Sequence, residues 1–356
     1  MKNPDKYRGC LIGGAVGDAL GYAVEFSLDW QIFEKYGERG ITEYELCDGA
    51  ALISDDTQMT LFTANGLLAA AADSSEDNCV AFIARCYRDW YKTQAFGSAS
   101  QPDCAWLNHL PQLNQCRAPG NTCLSALACE KLGSLDCPVN HSKGCGGVMR
   151  VAPIGLYFEN RPIDVIDRIG AQAAALTHGH DLGYIPAAML VHIVHLLAHG
   201  KAKTVLEAVN GAMNAASCQF AHSAYLPKMK ELTKLAIELS ALPELDELEA
   251  IRQLGAGWVA EETLAIAIYC ALKYEHDFEK AMIAAVNHSG DSDSTGAVTG
   301  NILGAHLGLK AIPEKFLTHL ELRDVILEIA DDLYNGPQPH NPLWKAKYID
   351  HTYPNA

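Results

Sequence analysis

The sequence predicts an all-α fold in which many helices pack orthogonally within a single domain. No stretch of the chain sustains the alternation of apolar and polar residues that is typical of β-strands. More than a dozen runs show helical periodicity instead, and short connections rich in glycine and proline join them. No long linker or internal repeat divides the chain. We therefore expect one domain over residues 1–356, with a core at about 5–335 and an irregular tail at 336–356.

The first predicted helix covers residues 5–24, and its many Gly and Ala residues allow a neighbouring helix to approach closely. A loop-rich stretch follows at 26–53, and two helices are predicted at 57–72 and 76–92. Residues 93–122 contain three prolines and show little periodicity. A connection of this length is usually functional or mobile, so we expect a functional loop that leads into the Gly-Asn-Thr start of the next helix.

The remaining helices are predicted at 150–157, 162–177, 181–199 and 203–216, two within 217–255, one over 258–272, and two before Gly336. In the helix at 181–199, His192, His195 and His199 recur at i, i+3 and i+7 and therefore share one face. No carboxylate cluster adjoins them in the sequence, so we interpret this face as partly exposed and structural.

Composition narrows the classes of partner. Hydrophobic residues make up 49% of the chain and charged residues 20%, which suits a sizeable buried core. The net charge of −16 argues against nucleic acids and anionic membranes as partners, since both require a basic surface. Asp18 interrupts the first apolar segment, so the N-terminus does not resemble a signal peptide and we expect a cytoplasmic protein.

Twelve cysteines are scattered along the chain, and no two form a Cys-x-x-Cys pair. In a chain of this length without a signal peptide, such cysteines are more often reduced and buried than disulfide-bonded. We therefore expect free thiols in the core.

The stretch from Gly290 to Gly296 concentrates polar chemistry. Its five residues from Asp291 to Thr295 carry two carboxylates and three hydroxyls, and an apolar helical run follows. Only one of these side chains can cap the helix. Carboxylates at i and i+2 with a hydroxyl at i+3 converge if the turn folds around one point, and such oxygen ligands suit Mg²⁺, Mn²⁺ or Ca²⁺. A polar loop that begins a helix is the alternative interpretation.

Residues 54–60 repeat this pattern, because a serine and two aspartates again precede a helical run. Adjacent carboxylates repel each other unless a positive charge lies beside them. The four aspartates of the two stretches carry four negative charges, which two divalent ions would neutralise. We therefore predict a dinuclear site for Mg²⁺, with Mn²⁺ as the alternative, whose ligands are Ser54, Asp55, Asp56, Asp291, Asp293 and Ser294.

The most glycine-dense stretch of the chain lies at 141–149. Its backbone N–H groups could cradle an anion at the start of the next helix. It lacks the Gly-Lys-Ser/Thr ending of a P-loop, which argues against a nucleoside triphosphatase of that type. Arg150 could bind phosphate, although an arginine at this place more often supports nearby backbone or pairs with an acidic residue.

Seven segments, in order over residues 9 to 309, together resemble the ADP-ribosylglycohydrolase family, in particular its branches directed at ADP-ribosylarginine and at ADP-ribosylated dinitrogenase reductase. These segments are Gly17-Asp18-Ala19-Leu20-Gly21 with Glu25, Ser54-Asp55-Asp56-Thr57, Gly120-Asn121-Thr122, Gly146-Gly147-Val148-Met149-Arg150, Thr177-His178, Gly257-Trp258-Val259-Ala260-Glu261-Glu262 and Gly290-Asp291-Ser292-Asp293-Ser294-Thr295-Gly296. The resemblance implies the family's all-α fold.

The resemblance also implies roles for individual residues. Catalysis would depend on Glu25, Asp55, Asp56 and Asp293. Contacts to the ADP-ribose part of the substrate would come from Gly120, Asn121, Thr122, Gly144, Gly146, Gly147, His178 and Trp258. Helix capping is the alternative role for His178, and core packing is the alternative for Trp258.

The function implied by the resemblance is metal-dependent hydrolysis of the glycosidic bond between ADP-ribose and a target. Ser54 occurs together with an Asp-Ser-Asp-Ser run, and this combination of serines is similar to that of the arginine-directed branch. Other relatives carry Thr at both of these hydroxyl positions. We therefore expect removal of mono-ADP-ribose from protein arginine, with an ADP-ribosylated protein as substrate and ADP-ribose as product. Some relatives have an acidic residue where Ala118 and Pro119 stand here, which leaves the proton-transfer residue open.

Two alternatives accompany this expectation. If the leaving-group pocket differs and the rest of the site is the same, the enzyme would hydrolyse a different ADP-ribose linkage, to serine, threonine or a small metabolite. The protein would instead be a binder if it neutralised an ADP-ribosyltransferase toxin by occupying the active site of the toxin. The presence of all four metal-binding aspartates favours catalysis.

Overall fold

Two long buried helices are in direct backbone contact in the computed structural model, which describes residues 2–96 and 102–353. They are α1 (Pro4–Tyr22) and α14 (Ser292–Leu307). Glycines recur at every fourth position on both helices, at Gly9, Gly13, Gly17, Gly21, Gly296, Gly300 and Gly304. A Cβ atom on Gly13 would lie 2.4 Å from the carbonyl oxygen of Gly300. We call these seven glycines the glycine seam.

The glycine seam is antiparallel, because Gly9 faces Gly304 and Gly17 faces Gly296. The C-terminal end of α1 therefore meets the N-terminal end of α14, where the predicted metal-binding stretch lies. The packing thus brings Gly21 next to Ser292 and places both chain segments at one end of the core.

Fifteen further α-helices occur in the described residues. They are α2 (Asp29–Tyr36), α3 (Asp55–Ala72), α4 (Cys79–Phe96), α5 (Asn121–Leu127), α6 (Ala152–Tyr157), α7 (Ile163–Ala175), α8 (Asp181–Ala198), α9 (Val205–Gln219), α10 (Leu226–Ser240), α11 (Glu247–Leu254), α12 (Ala260–Lys273), α13 (Phe278–Val286), α15 (Glu314–Leu317), α16 (Arg323–Asn335) and α17 (Pro342–Tyr348). Short 3-10 helices accompany them, and the only β-structure in this part of the chain consists of isolated bridges. The all-α prediction is confirmed.

Helix α8 is apolar along its whole length. Its length and mean hydropathy of 1.5 would suit a membrane span, but 89% of it is buried inside the structure. It packs against α7, α9, α6 and α14. This environment is typical of a core helix.

The prediction of a partly exposed histidine face on α8 was wrong. His192, His195 and His199 are 5%, 0% and 5% exposed. His192 Nδ1 lies 2.8 Å from an Asp167 carboxylate oxygen on α7, so a carboxylate that is distant in sequence does adjoin this face. Burial, the first cause, and neighbouring positive charges lower the pKa of His195 to about 3 and that of His199 to about 4.

Two predicted irregular regions contain helices. Helix α2 lies within the stretch predicted as loop at 26–53, and α17 lies within the tail predicted as irregular at 336–356. The Asn341 side chain accepts N–H bonds from Leu343 and Trp344 and so caps α17. Trp344 is 1% exposed, so burial of this indole fixes the tail on the core.

The predicted loop at 93–122 is largely anchored rather than free. Its residues 97–101 lie outside the described part of the chain. Beyond them, the buried Asp89 carboxylate of α4 accepts N–H bonds from Asp103, Cys104 and Ala105 at 2.7–3.0 Å. These bonds hold the segment that leads to Gly120 and α5.

All twelve cysteines are free thiols, but only part of the prediction that they are buried is confirmed. Six are buried, at Cys10, Cys79, Cys86, Cys104, Cys123 and Cys270. Five are exposed and Cys145 is intermediate. Scattered cysteines in this chain therefore do not all behave as core residues.

Candidate metal and substrate site

The N-terminus of α3 presents two buried carboxylates. Ser54 caps this helix, since its hydroxyl accepts the N–H of Asp56 at 3.2 Å. Asp55 and Asp56 occupy the first turn and are 5% and 3% exposed. The partial positive charge of the helix N-terminus favours carboxylates at this place.

The N-terminus of α14 faces the start of α3. Asp291 is the N-cap and Asp293 lies in the first turn, each with 2% exposure. The Ser294 hydroxyl donates to an Asp56 carboxylate oxygen at 2.9 Å and so links the two helix starts directly. The structure thus brings the two predicted metal-binding stretches together.

One cleft contains most of the predicted site residues. It is lined by Glu25, Asp55, Asp56, Ala118, Gly120, Asn121, Thr122, Cys123, Gly144, Cys145, Gly146, Met149, His178, Trp258, Asp291, Asp293 and Ser294. Five of these are carboxylates, and none is Lys or Arg. The described lining therefore offers oxygen ligands and no lysine or arginine to neutralise them.

Glu25 completes the carboxylate cluster from the turn that follows α1. Oxygen atoms of Glu25, Asp291 and Asp293 all lie within 4.8 Å of one another. Burial, followed by the neighbouring carboxylates, raises the pKa of Glu25 to about 10. Its Oε2 atom is buried and has no hydrogen-bond partner within the described structure. Buried like charges with an unpartnered oxygen fit a site for cations.

Burial also raises the pKa values of Asp55, Asp56 and Asp291 well above the ordinary range, with the charge of Asp293 as the second cause. A hard divalent cation bound here would favour the charged forms of these groups. The donor set of carboxylates and hydroxyls suits Mg²⁺ or Mn²⁺. The residues present therefore fit the predicted metals.

Asp18 is a buried carboxylate behind the cleft that the sequence-based site assignment missed. It is fully buried, and it accepts the N–H groups of Ser54 and Thr57 at 3.0–3.1 Å. Burial, with the charge of Asp293 next, raises the pKa of Asp18 to about 7. The signal for it was a carboxylate within an otherwise apolar, glycine-rich helix. Its position on α1 holds the start of α3 against the glycine seam.

Two predicted site residues lie behind the cleft lining rather than on it. Ser54 is fully buried, and its hydroxyl serves as the cap of α3. Gly147 is buried, and a Cβ atom there would meet Gly183 O at 2.9 Å and Ala174 Cβ at 3.1 Å. This glycine therefore permits helix packing, whereas Gly144 and Gly146 line the cleft. Sequence reasoning also missed the cleft-lining Cys145, although the glycine-dense stretch contains it.

His178 lies against the glycines of the cleft. A Cβ atom on Gly144 or Gly146 would lie 3.3 Å from His178 Nε2. Its Nδ1 atom lies 2.8 Å from Thr177 Oγ1, which accepts a bond from Arg150 at 2.7 Å. Burial, and then the charge of Arg150, lower the pKa of His178 to about 3. The imidazole is therefore neutral and oriented by its second nitrogen.

Arg150 supports this arrangement from within the core. It is fully buried, its guanidinium donates to Ala173 O at 3.1 Å, and it stacks over Tyr87 at 4.3 Å. It does not line the cleft. Support of the backbone is thus its structural role, and phosphate binding by Arg150 does not fit the geometry.

The opposite wall of the cleft is formed at the start of α5. Gly120 N–H donates to an Asp55 carboxylate oxygen at 3.2 Å, and Asn121 is exposed at the first position of the helix. Thr122 Oγ1 lies 3.2 Å from Ser142 Oγ in the glycine-dense stretch. The three predicted substrate-binding residues of this segment therefore border the carboxylate cluster.

Trp258 lies at the mouth of the cleft. It is 44% exposed and stacks on Phe26 with ring centroids 6.1 Å apart. The Cys145 N–H donates to Trp258 O at 3.3 Å, which joins this residue to the glycine-dense stretch. The alternative of simple core packing for Trp258 was therefore wrong.

Comparison with known proteins gives consistent matches over almost the whole chain. A model of the ADP-ribosylglycohydrolase family matches residues 2–342. The protein named ADP-ribosylhydrolase ARH3 from Bos taurus is 25% identical over 345 residues, which cover 87% of this chain and 87% of that protein. The ADP-ribosyl-[dinitrogen reductase] glycohydrolase of Rhodospirillum rubrum is 25% identical over 327 residues, covering 90% and 91%.

A solved structure shares the architecture. It is titled an ADP-ribosylglycohydrolase-related protein complex, and it superposes with a TM-score of 0.55 at 25% sequence identity. The match covers 93% of this chain and 98% of the other. The similarity therefore extends over nearly the whole chain.

Proposed function

We propose that this chain, which belongs to the ADP-ribosylglycohydrolase family, removes mono-ADP-ribose from arginine side chains of proteins. The proposed reaction is a metal-dependent hydrolysis. Family membership makes the chain a glycohydrolase that acts on ADP-ribose linkages. The arginine linkage and the metal ions are the proposed refinements. We also propose that it acts in the cytoplasm.

The observation that carries the proposal is the cluster of five carboxylates in one cleft whose described lining has no lysine or arginine. Asp55, Asp56, Asp291, Asp293 and Ser294 would hold two Mg²⁺ ions. Bound divalent ions supply Lewis-acid polarisation and lower the pKa of a bound water.

The remaining residues of the cleft would bind and orient the substrate. Asn121 and the N–H groups around Gly144 and Gly146 would contact the diphosphate and ribose. The neutral His178 would exchange a hydrogen bond with a ribose hydroxyl, because its imidazole borders the same glycines. Trp258 would stack on the nucleotide part.

Glu25 would serve the leaving group. Glycosidic cleavage passes through an oxocarbenium-like state, which nearby carboxylates stabilise. The electrons of the broken C–N bond return to nitrogen, so the substrate guanidinium leaves as a neutral guanidine and must gain one proton to become the arginine cation. Glu25 has an unpartnered oxygen, and burial raises its pKa, so it is suited to donate that proton.

Similarity to relatives supports a protein substrate and also keeps a second candidate. The Rhodospirillum rubrum relative is named for an ADP-ribosylated protein, dinitrogen reductase. The ARH3 relative from Bos taurus has the same 25% identity. Hydrolysis of a different ADP-ribose linkage is therefore the second candidate function.

The test is incubation with peptides that carry ADP-ribose on arginine, serine or aspartate, with and without Mg²⁺. Release of ADP-ribose from arginine peptides only, and only with metal, would support the proposal. Release from serine alone would favour the second candidate. No release from any peptide, together with tight binding of an ADP-ribosyltransferase toxin, would favour a binder.

A further inference from the structure

We propose that Phe26, Leu28 and Trp30 form a docking surface, here called the acceptor collar, for the polypeptide that flanks the modified side chain. This inference rests on the proposed function. The three side chains are 74%, 51% and 57% exposed. Large apolar side chains exposed together mark interaction sites. They follow Glu25 directly along the chain, and Glu25 lines the cleft.

The acceptor collar is fixed beside the cleft by specific contacts. Phe26 stacks on Trp258, which lines the cleft mouth. The Asp29 N–H donates to Ser289 Oγ at 2.7 Å, just before the metal-binding turn of α14. The Asp29 carboxylate accepts a bond from Arg252 at 2.7 Å. The collar therefore has a fixed position relative to the carboxylate cluster.

Charge determines the class of occupant. The chain has a net charge of −16, which repels nucleic acids and anionic membranes. Two divalent ions would neutralise the four aspartates, and the unpartnered carboxyl oxygen of Glu25 would accept an N–H bond from the guanidine group of a modified arginine. A polypeptide with a modified arginine between apolar residues is complementary to both the cleft and the collar. A small ADP-ribosyl metabolite would leave all three collar side chains in water.

The test uses two synthetic peptides, each with one ADP-ribosylated arginine, flanked either by leucines or by serines. Free ADP-ribosylarginine is the small substrate. The wild-type protein should hydrolyse the leucine-flanked peptide with a kcat/KM about tenfold above that of the serine-flanked peptide. Trp30→Ser should abolish most of this preference, while its kcat/KM on free ADP-ribosylarginine stays within about twofold of wild type.

Two further variants make the test decisive. Leu28→Ser removes less apolar surface and should reduce the preference in the same direction. Leu206→Ser changes an apolar residue of α9 that is 41% exposed, and it should keep the full preference. Phe26 is left unchanged because it adjoins Glu25.

Three outcomes would overturn the acceptor collar. Equal rates of the wild-type protein on both peptides would reject it and leave the proposed hydrolase intact. An equal loss on free ADP-ribosylarginine and on the peptide in Trp30→Ser would show that Trp30 acts on the cleft instead. If the wild-type protein hydrolyses none of the three substrates, the proposed function fails first and the collar with it.

Discussion

The roles of single residues in the cleft depend on the buried groups that contact them. The aspartates of the cleft carry charge that a metal ion would neutralise, whereas Asp18 carries charge that backbone N–H groups stabilise. His178 is held by Thr177, which in turn is held by the fully buried Arg150. The chemistry proposed for the cleft therefore depends on buried partners that never contact the substrate.

Replacement of one of the proposed metal-binding aspartates should separate catalysis from substrate binding. Asp291→Asn and Asp293→Asn keep the side-chain shape, but each removes one negative charge from the metal site. We expect either change to abolish release of ADP-ribose from modified arginine, measured as kcat. ADP-ribose binding, measured by calorimetry, should be retained to a larger extent, because the glycine stretch and Trp258 remain.

Asp324→Asn is the matched control for this pair. Asp324 is an exposed partner of Arg323 and lies on α16, outside the cleft. Its substitution should leave the rate unchanged. Hydrolysis at the wild-type rate by the Asp291→Asn, Asp293→Asn double variant would reject the metal mechanism.

At the scale of single residues, the sequence predicted which residue types lie close together but not the orientation of each side chain. Asp55, Asp56, Asp291 and Asp293 were predictable because hydroxyl and carboxylate patterns before two helices are local signals. Ser54 and Gly147 were not placed correctly relative to the cleft, since the orientation of a turn depends on the helices that pack against it. Asp18 was missed because its partners are distant in the sequence.

At the scale of elements, the glycine seam determines how closely α1 and α14 approach. Gly300 allows contact so close that an added Cβ atom would lie 1.9 Å from Gly13 O. The neighbouring atoms there belong to the backbone and cannot rotate away. The seam thus depends on the absence of side chains along both helices.

Gly300→Ala tests the glycine seam, because helix propensity and the backbone clash predict opposite changes in the free energy of unfolding. Helix propensity alone would make alanine stabilising by about 1 kcal/mol. The backbone clash should instead lower the free energy of unfolding by about 3 kcal/mol or more. Urea denaturation followed by circular dichroism measures the difference.

Gly211→Ala in α9 is the control for helix propensity. The nearest atoms to its added Cβ would be Leu196 Cδ1 at 2.9 Å and His192 Nε2 at 3.3 Å. Both are ends of side chains, which can move. We expect this variant to be far less destabilised than Gly300→Ala, and a similar loss in both would contradict the special role of the seam.

The order of the elements could largely be predicted from sequence, with α2 and α17 as exceptions. Both are short, so their apolar periodicity extends over too few residues to be distinguished from loop. In α17 the prolines of the tail also obscured the signal, although Pro342 at the start of a helix is compatible with helix formation. Trp344 is buried against the core, and local sequence patterns do not predict this long-range contact.

For the molecule as a whole, metal binding should stabilise the fold. A ligand that binds only the folded chain adds RT ln(1 + [L]/Kd), which is about 2.7 kcal/mol at about a hundredfold excess over Kd. EDTA should therefore lower the melting temperature measured by scanning calorimetry, and added Mg²⁺ should restore it. Identical melting curves in EDTA and Mg²⁺ would contradict a metal site within the fold.

Acid should destabilise the protein through its buried neutral histidines. The pKa of His199 is about 4 in the folded chain and about 6.5 when unfolded. Between these values His199 binds more protons in the unfolded chain, so its own contribution to stability falls as pH drops below about 6.5, by up to about 1.4 kcal/mol per pH unit. The raised pKa values of the buried carboxylates contribute with the opposite sign. Urea denaturation from about pH 7.5 to about pH 5.5 therefore isolates the histidine contribution only when wild type is compared with a variant that lacks the histidine.

His199→Phe isolates one contribution to that slope. Both ring nitrogens of His199 are buried without a partner in the described structure, so phenylalanine removes the titration without breaking a hydrogen bond. The edge-on packing of this ring against Tyr7 is compatible with the substitution. The variant should show a shallower decline of stability with acid, and an unchanged slope would reject a contribution from His199.

The antiparallel glycine seam also has a consequence for synthesis of the chain. Helix α1 is synthesised long before its partner α14, because twelve other helices lie between them in the described chain. Until then the glycine-lined face of α1 has no partner, and the carboxylates of the cleft are on segments that have not met. A nascent or truncated chain that ends before Asp291 therefore lacks three of the five proposed metal ligands. Activity should appear only after α14 has been synthesised.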